Sequence, residues 1–198
     1  MIPIYSAIVL AAGRSTRMGR DKALLEIEGV PLWQRQRDVL VAAGFAEVFL
    51  SARPEQSWTR RATGFAGVVH DAMPECGPLV GATAGLERAN HPWLAVLAID
   101  LPAMVPGWFR ALRADCAPGV GVIGCRDGFF EPLAAIYPRE FKWLAWEALA
   151  RGEYAFQRLA AHAVNQGLLR VREIRPEEAG WFANWNAPAA PGTDPAAK

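Results

Sequence analysis

The stretch IYSAIVLAAGRSTRMGRDK, residues 4–22, decides the fold near the start of the chain. The run from Ile4 to Leu10 is mostly apolar and predicts a buried parallel strand. The small residues that follow, 11–13, let the backbone turn tightly and approach a ligand closely. Arginine and lysine side chains come next. A strand that ends in a small-residue loop carrying cations predicts a site for a nucleoside triphosphate.

Downstream of this stretch, strand and helix patterns alternate, which predicts a mostly parallel sheet covered by helices. Apolar runs predict strands over residues 47–51, 67–70, 93–99, 120–125, 132–137 and 168–174. Helices are predicted over residues 31–44, 78–90, 106–115 and 141–162, the last broken near Gly152, with the polar residues 53–63 as a further candidate. We therefore expect an α/β fold, a Rossmann-like three-layer αβα sandwich, in one domain spanning residues 1–186. Residues 187–198 are rich in Ala, Pro and Gly and are expected to form a disordered tail.

Composition and charge exclude several classes of protein. The 198 residues carry a formal net charge of +1, which argues against a nonspecific binder of nucleic acid or membrane surfaces. No apolar run approaches the roughly 20 residues that a bilayer-spanning helix needs. The three cysteines are too few and too scattered for a disulfide framework or a zinc site. We expect a cytoplasmic protein that is a monomer or a weak oligomer.

The loop after the first strand departs from the common phosphate-binding motifs. A Walker A loop would need Gly19 one position earlier, and a dinucleotide fingerprint would need a glycine at Ser15. The loop resembles instead the signature L-A-[GA]-G-x-x-x-R-M-G-x-x-K of nucleotidyltransferases, and it is most similar to that of the MobA-like molybdenum cofactor guanylyltransferase family. The resemblance implies GTP and Mg²⁺, with a molybdopterin-type acceptor that receives GMP while pyrophosphate leaves.

Asp100 is the first candidate for metal binding. It follows the apolar strand predicted over residues 93–99, where a carboxylate costs free energy unless it is paired or binds a metal. Mg²⁺ that bridges a triphosphate prefers one or two carboxylates plus phosphate oxygens and water. A helix N-cap is the alternative role for this residue. The segment 97–102 resembles the family's D-x-P element, which implies that Asp100 binds Mg²⁺.

Cationic side chains of the signature loop are the candidates for catalysis. Attack on an α-phosphorus builds negative charge on the pyrophosphate leaving group, and nearby cations stabilise that transition state. Arg17 can grip phosphate through two parallel bonds, whereas Lys22 acts as a mobile point charge. We therefore assign catalytic roles to Arg17, Lys22 and Asp100, and interpret Arg14 and Arg20 as solvated surface charges.

Residues at the ends of the predicted strands complete the nucleotide site. Right-handed crossovers bring the carboxyl ends of the strands to one edge, so the loops after Leu10, Ser51, His70 and Ile99 should meet in one cleft. The resemblance implies nucleotide contacts from residues spread over these loops and the C-terminal segment, namely Leu10, Ala11, Ala12, Gly13, Lys22, Ser51, Asp71, Gly77, Asp100 and Asn184. A carboxylate at Asp71 suits guanine because it accepts two N–H groups from the base. An ordinary turn residue is nearly as good an interpretation of Asp71.

Two later segments resemble the family's acceptor side. Residues 181–188 (WFANWNAP) are similar to its F-x-N-x-N-T-P segment, with Ala187 in place of Thr. This similarity implies that Asn184 contacts the nucleotide and that Asn186 joins Asp100 in binding Mg²⁺. Residues 131–137 (EPLAAIY) are similar to its [QE]-P-L-x-A-L-Y strand. Arg126, just before that strand, is a candidate for contacting an acceptor phosphate.

Other functions stay open on sequence grounds. Guanylyl enzymes usually carry Leu-Ala-Gly-Gly in the loop and cytidylyl enzymes Thr-Ala-Ala-Gly, whereas residues 10–13 read Leu-Ala-Ala-Gly. A cytidylyltransferase acting on molybdopterin is therefore the main alternative, followed by a sugar- or alditol-phosphate nucleotidyltransferase. A noncatalytic nucleotide-binding partner domain is the non-enzymatic alternative, and the presence of Lys22 and Asp100 argues against it. Transient contact with proteins that deliver or receive the cofactor is expected.

Overall fold

A computed structural model describes residues 5–13, 21–70 and 76–185 of the protein. The strands are, in chain order, β1 (Ser6–Leu10), β2 (Glu26–Ile27), β3 (Val30–Pro31), β4 (Glu47–Ala52), β5 (Gly67–His70), β6 (Trp93–Ala98), β7 (Gly121–Arg126), β8 (Phe129–Phe130), β9 (Ala134–Pro138) and β10 (Leu169–Glu173). The α-helices are α1 (Leu32–Ala42), α2 (Pro78–Arg88), α3 (Pro106–Asp115), α4 (Phe141–Ala150) and α5 (Phe156–Asn165). Short 3₁₀ helices span Lys22–Leu24, Ser57–Arg61 and Pro176–Phe182.

The main sheet is mixed rather than fully parallel. Its strand order is β10-β7-β9-β6-β1-β4-β5, and β8 pairs with β7 beside it. The pairs β1–β4, β1–β6, β4–β5 and β7–β10 are parallel, whereas β9 runs antiparallel to both β6 and β7. The predicted mostly parallel sheet is confirmed, with the short β8 and β9 as strands that run in the opposite direction.

Strand β1 lies at the centre of the domain because both of its faces are buried. Ala7 and Val9 pack into one apolar cluster with α1 and α3, while Ile8 and Leu10 pack into another with α2, α4 and α5. A strand that is covered by helices on both faces needs an apolar residue at every position rather than at alternate ones. These two clusters make the three-layer αβα sandwich that the sequence predicts.

Glycine and proline mark several helix ends as predicted. Pro31 directly precedes α1, and Gly44 follows it with a φ of 88°. Gly152, with a φ of 71°, separates α4 from α5, so residues 141–162 belong to two helices. The helix candidate over residues 53–63 is wrong except for the short 3₁₀ turn Ser57–Arg61. That segment turns because its side chains bond to a neighbouring loop instead of forming an apolar face.

The strand order places a crevice at the carboxyl end of β1. From β1 the chain passes through α1 to β4 on one side, and later through α2 to β6 on the other side. Because α1 and α2 lie on opposite faces of the sheet, a gap opens between the two connections, where ligands of open α/β sheets bind. Leu10 pairs with Ser51 of β4 and with Ala98 of β6 at this level.

Candidate active site

A cavity of about 250 Å³ opens at the carboxyl ends of β1, β4 and β6. Most of the residues expected to contact the nucleotide line it, and these are Leu10, Ala11, Ala12, Gly13, Lys22, Ser51, Gly77 and Asp100. The rest of its wall consists of Asp21, Pro78, Gly81, Ala98, Ile99 and Leu133. The structure therefore brings together residues that lie up to 123 positions apart in the chain, as the strand order requires.

Two opposite charges meet at the rim of this cleft. The Nζ atom of Lys22 lies 3.5 Å from Oδ2 of Asp100, and both side chains are partly buried. Asp100 lies two residues after the end of β6, and Lys22 begins the 3₁₀ helix at the end of the signature loop. An ammonium attracts phosphate oxygens and a carboxylate attracts divalent cations. The pair is therefore suited to a ligand that carries both, such as a triphosphate with its metal ion.

The Ser51 hydroxyl is a buried polar group that borders the cleft. Its residue is 1% exposed, and within the described part of the chain its Oγ has no hydrogen-bond partner. A buried hydroxyl without a partner costs free energy, so this atom is suited to bonding a polar group of a ligand. Helix α2 passes close by, since a Cβ added to Gly81 would lie 2.7 Å from this oxygen and 3.0 Å from Cδ2 of Leu10.

Helix α2 directs its N-terminus at the same cavity. Pro78 is the first residue of the helix, and Gly77 precedes it with a φ of 77°, a conformation that strains residues with a Cβ. Both residues line the cavity. The N–H groups at a helix start carry partial positive charge, so this end of α2 favours an anionic group in the cleft.

Side chains that follow β4 and lie outside the cavity lining hold Asp21 and the start of the signature loop. Asp21 accepts hydrogen bonds from the backbone N–H of Ala23 at 3.1 Å, from the Gln56 amide at 2.6 Å and from the Trp58 indole at 2.7 Å. Arg53 bonds to the loop itself. These residues are absent from the predicted site, because no local sequence pattern indicates that residues 53–58 fold back against residues 11–13 and 21.

The chain returns to the cleft after its last strand. The backbone N–H of Trp185 donates to the Asp100 carbonyl at 2.9 Å, and Phe182 packs edge-on against Trp108 with ring centroids 4.9 Å apart. Asn184 is exposed and is absent from the cavity lining in this described segment. The structure thus places Asn184 next to a residue that contacts Asp100 but does not bring it into the cavity.

Strands β7 to β9 form the side of the cleft opposite β4. Leu133 lines the cavity, and its carbonyl accepts a hydrogen bond from Ala98 N–H at 2.9 Å. Arg126 ends β7, with Nε 3.9 Å from the carboxylate of the exposed Asp127. Burial raises the pKa of Glu131, and Arg126 acts in the opposite direction. This edge of the cleft therefore has a cation, Arg126, and a carboxyl group of raised pKa, Glu131.

Three predicted site residues, Arg17, Asp71 and Asn186, lie outside the described residues, as do Arg14 and Arg20. Across residues 5–13, 21–70 and 76–185, no group of three or more His, Cys, Asp or Glu side chains is arranged to hold a metal ion. The partly buried carboxylate of Asp100 still fits Mg²⁺, since this ion takes few protein ligands when it binds phosphates. None of the helices described is long and apolar enough to cross a lipid bilayer.

Comparison with known proteins gives one consistent result. Residues 7–169 match the model of the MobA-like NTP transferase domain. The chain is 45% identical over 184 residues to a probable molybdenum cofactor guanylyltransferase of Opitutus terrae, covering 91% of this chain and 89% of the relative. It is 31% identical over 189 residues to the molybdenum cofactor guanylyltransferase of Pseudomonas putida, covering 94% and 95%.

Solved structures resemble the fold over most of its length. A nucleotidyl transferase from Methanothermobacter superposes with a TM-score of 0.75 at 21% identity, covering 92% of each chain. The molybdopterin-guanine dinucleotide biosynthesis protein A of Archaeoglobus fulgidus superposes with a TM-score of 0.70 at 21% identity, covering 92% of this chain and 93% of the other. At this level of identity the likeness concerns the fold.

Proposed function

The chain belongs to the MobA-like NTP transferase family of nucleotidyltransferases, and we propose that it transfers GMP from GTP to a molybdopterin-type acceptor with release of pyrophosphate. Relatives named molybdenum cofactor guanylyltransferase match it over nine-tenths of its length. The observation that carries the proposal is the meeting of Lys22 and Asp100 in a cleft that opens at the carboxyl end of β1. A cation and a carboxylate at that place suit a metal-bound triphosphate.

The proposed reaction exchanges one phosphoanhydride bond for another. An oxygen of the acceptor phosphate attacks the α-phosphorus of GTP, and a new P–O bond forms. The bond from the α-phosphorus to its bridging oxygen breaks, and pyrophosphate leaves with the electron pair. No covalent intermediate on the protein is needed, so the chain's task is to position the two phosphates and to neutralise charge.

Charge neutralisation falls to the signature loop and the end of β6. Lys22 stabilises the leaving pyrophosphate more than the bound triphosphate, because negative charge grows there in the transition state. Arg17 acts with it on the same phosphates. Asp100, with Asn186, holds Mg²⁺, which when bound offsets the charge of the triphosphate. The partly exposed Asp100 carboxylate at the cleft rim supports this assignment.

Recognition of the nucleoside falls to β4 and the start of α2. The buried Ser51 hydroxyl bonds a polar group of the nucleotide and so gains the partner that it lacks among the described residues. Asp71 accepts the N–H groups of guanine, and the backbone at Gly77 permits a close approach. On the opposite side, Arg126 meets the acceptor phosphate, and Asn184 contacts the nucleotide.

The cellular setting follows from the same proposal. Three free cysteines are in keeping with a reducing cytoplasm. We also propose transient contacts with proteins that deliver or receive the cofactor.

Thermal unfolding with Mg²⁺ and each of GTP, CTP, ATP and UTP tests the base. A ligand at a hundred times its dissociation constant should add about 2.7 kcal/mol of stability. We expect this increase with GTP alone. Selective stabilisation by CTP would overturn the guanylyl assignment in favour of cytidylyl transfer. Release of pyrophosphate that depends on added molybdopterin then tests the acceptor, whereas release with a sugar phosphate instead would contradict it.

A further inference from the structure

We infer that Arg53, Gln56 and Trp58 are positioning residues that hold the signature loop and Lys22 in the geometry that a triphosphate needs. This inference rests on the proposed function, since it concerns the same nucleotide site. None of the three residues lines the cavity. They act through the backbone of residues 11–13 and through Asp21, which do line it.

Arg53 binds two consecutive carbonyl groups of the loop. Its Nη1 donates to the carbonyl oxygens of Ala12 and Gly13, the second at 2.8 Å. The side chain is 18% exposed, and among the described residues its acidic partner is Glu55, 4.0 Å away in an exposed side chain. The guanidinium is therefore directed mainly at loop carbonyls rather than at a surface ion pair. Arg53 reaches them because it follows β4, which pairs with β1.

Gln56 ties the same loop to Asp21. Its buried Nε2 donates to the Ala11 carbonyl at 3.0 Å and to Oδ2 of Asp21 at 2.6 Å, while its Oε1 accepts from the backbone N–H of Arg53 at 2.6 Å. The amide group uses both its donors and its acceptor in these contacts, which determines its orientation. One side chain thus links the segment after β4, the segment after β1 and the start of the 3₁₀ helix at Lys22.

The consequence for a ligand comes from the planarity of the peptide bond. No peptide bond among the described residues is cis, so each carbonyl points opposite to the N–H of the next residue. The carbonyls of Ala11 and Ala12 point toward Gln56 and Arg53, which turns the N–H groups of Ala12 and Gly13 the other way. Backbone N–H groups directed into a cavity are what phosphate oxygens bind. Arg53 and Gln56 thereby orient these donors before the ligand arrives.

Trp58 and Gln56 also fix the residue before Lys22. The Asp21 carboxylate accepts from the Trp58 indole at 2.7 Å, from Gln56 and from the N–H of Ala23. With its oxygens engaged in this way, Asp21 anchors the backbone at the base of the lysine. The Lys22 side chain then extends from a fixed point toward Asp100, 3.5 Å away. Loss of the indole donor should therefore misplace the ammonium rather than remove it.

Arg113 offers a matched control. It is also partly buried, and its Nη1 donates to the carbonyl of Ala43 at 2.6 Å. Ala43 follows α1, just before β4 begins, so this contact lies at the edge of the sheet opposite the cleft. Arg53→Ala and Arg113→Ala each remove a guanidinium from backbone carbonyls, and only the first removes it from the signature loop.

The test measures dissociation constants of GTP and GMP, both with Mg²⁺, for the full chain and its variants. We expect Arg53→Ala to weaken GTP binding by about tenfold or more, the equivalent of one lost charge-assisted bond. The affinity for GMP, which lacks the outer phosphates, should fall markedly less.

Trp58→Phe keeps the ring and removes only the N–H donor. It should lower kcat by about tenfold while changing the dissociation constant of GTP little, because misplaced charge acts mainly in the transition state. Arg113→Ala should leave both nucleotides unaffected.

The outcomes separate this inference from the proposed function. Equal weakening of GTP and GMP in Arg53→Ala, or none, would overturn the positioning role even if the thermal stability falls. A normal kcat in Trp58→Phe would exclude Trp58 from the positioning role. The retained ring preserves the packing in this variant, so a fall in kcat would not reflect lost packing. If the unaltered chain prefers CTP, the guanylyl assignment fails, and the same comparison with CTP and CMP decides the positioning role. If it binds no nucleoside triphosphate, both fail.

Discussion

Gly81 and Ser51 face each other so closely that no methyl group fits between helix α2 and strand β4: a Cβ on residue 81 would lie 2.7 Å from the serine oxygen. Gly81→Ala should therefore displace the hydroxyl and narrow the cleft. We expect a loss of about 1–3 kcal/mol in the free energy of unfolding, as in other overpacked cores. Nucleotide binding should weaken as well, and calorimetric titration with GTP measures it.

Gly85, one turn further along α2, supplies the control for this prediction. A Cβ there would meet only apolar atoms, with Cδ1 of Ile8 at 2.9 Å and Cδ2 of Leu94 at 3.0 Å. Gly85→Ala should destabilise the fold to a similar degree without a specific effect on GTP. If the two variants weaken GTP binding equally, the loss at residue 81 reflects general destabilisation rather than the Ser51 contact.

Removal of the cation at Lys22 should impair the chemical step more than binding. Lys22→Met keeps much of the side-chain volume and should lower kcat by about 10²-fold, the scale seen when one donor to a developing anion is lost. Rates of pyrophosphate release measure this. Lys142→Met, in α4 and away from the cleft, is the matched change and should leave kcat unaltered. A Lys22 variant that retains most of its turnover would exclude this residue from catalysis.

Neutralisation of Asp100 should show itself in the response to metal. Asp100→Asn preserves shape but weakens a ligand of Mg²⁺, so half-maximal activity should need about tenfold more Mg²⁺ or higher. The fold should survive, because a partly exposed ion pair contributes at most about 1 kcal/mol. An Mg²⁺ titration at fixed GTP checks this, and an unchanged midpoint would leave Asp100 without a metal-binding role.

The three thiols should differ in reactivity. Burial raises the pKa of Cys116 to about 12 and also raises the pKa of Cys125, so both stay protonated at pH 8. Cys76 is partly exposed and directly precedes Gly77, which lines the cleft. We expect iodoacetamide to modify Cys76 first and GTP to slow the reaction. Mass spectrometry of the native protein identifies the site, and rapid labelling of Cys116 would contradict the expectation.

Glu178 should make stability depend on pH. A hydrogen bond from Arg175, at 2.7 Å, holds the pKa of this buried carboxyl below its usual value. Its contribution is therefore fully present above the unfolded-state pKa, near 4.3, and is lost as the pH falls through the lower folded-state pKa. Glu178→Gln should cost about 1–3 kcal/mol at pH 7 and less at acidic pH, as measured by urea unfolding.

Glu177 is the control for this measurement. It also pairs with Arg175, at 3.3 Å, but both side chains are more than half exposed. Such a pair contributes about 0–1 kcal/mol, so Glu177→Gln should change stability little at either pH. An equal effect from the two variants would show that burial of Glu178 is unimportant.

The central part of the fold could be predicted from sequence because its signals are local. Residues 93–99 are apolar throughout, which suits a strand covered on both faces, and β6 spans Trp93–Ala98. The antiparallel direction of β9 is indicated only weakly by the sequence. Asp127 and Gly128 both have positive φ, 53° and 79°, and an Asp-Gly pair between apolar residues is typical of a hairpin turn. That dipeptide indicates the antiparallel pairing of β7 and β8. The alternation of strands and helices along the chain, taken alone, predicts parallel strands instead.

The cleft could be predicted in part for the same reason. Ser51 lies near the end of β4, Asp100 lies just beyond β6 and Lys22 ends the loop after β1, and parallel strands bring such positions together. The partners of Asp21 could not be found in this way. Gln56 and Trp58 lie 35 and 37 positions away in a polar segment without periodicity, and only the folded loop brings them into contact. Side chains that support a site through backbone groups leave no motif of their own.

The cleft has two sides that come from different parts of the sequence, and the antiparallel strand β9 lies at the border between them. Strands β1, β4 and β6 and the start of α2 build one side, whereas the hairpin of β7 and β8 and the start of β9 build the other. The two sides adjoin where β6 pairs with β9. A change in the length or sequence of the hairpin tip at residues 126–131 therefore leaves the strands of the first side in register. Under the proposed function, residues that meet the acceptor can therefore change while the strands of the nucleotide side keep their register.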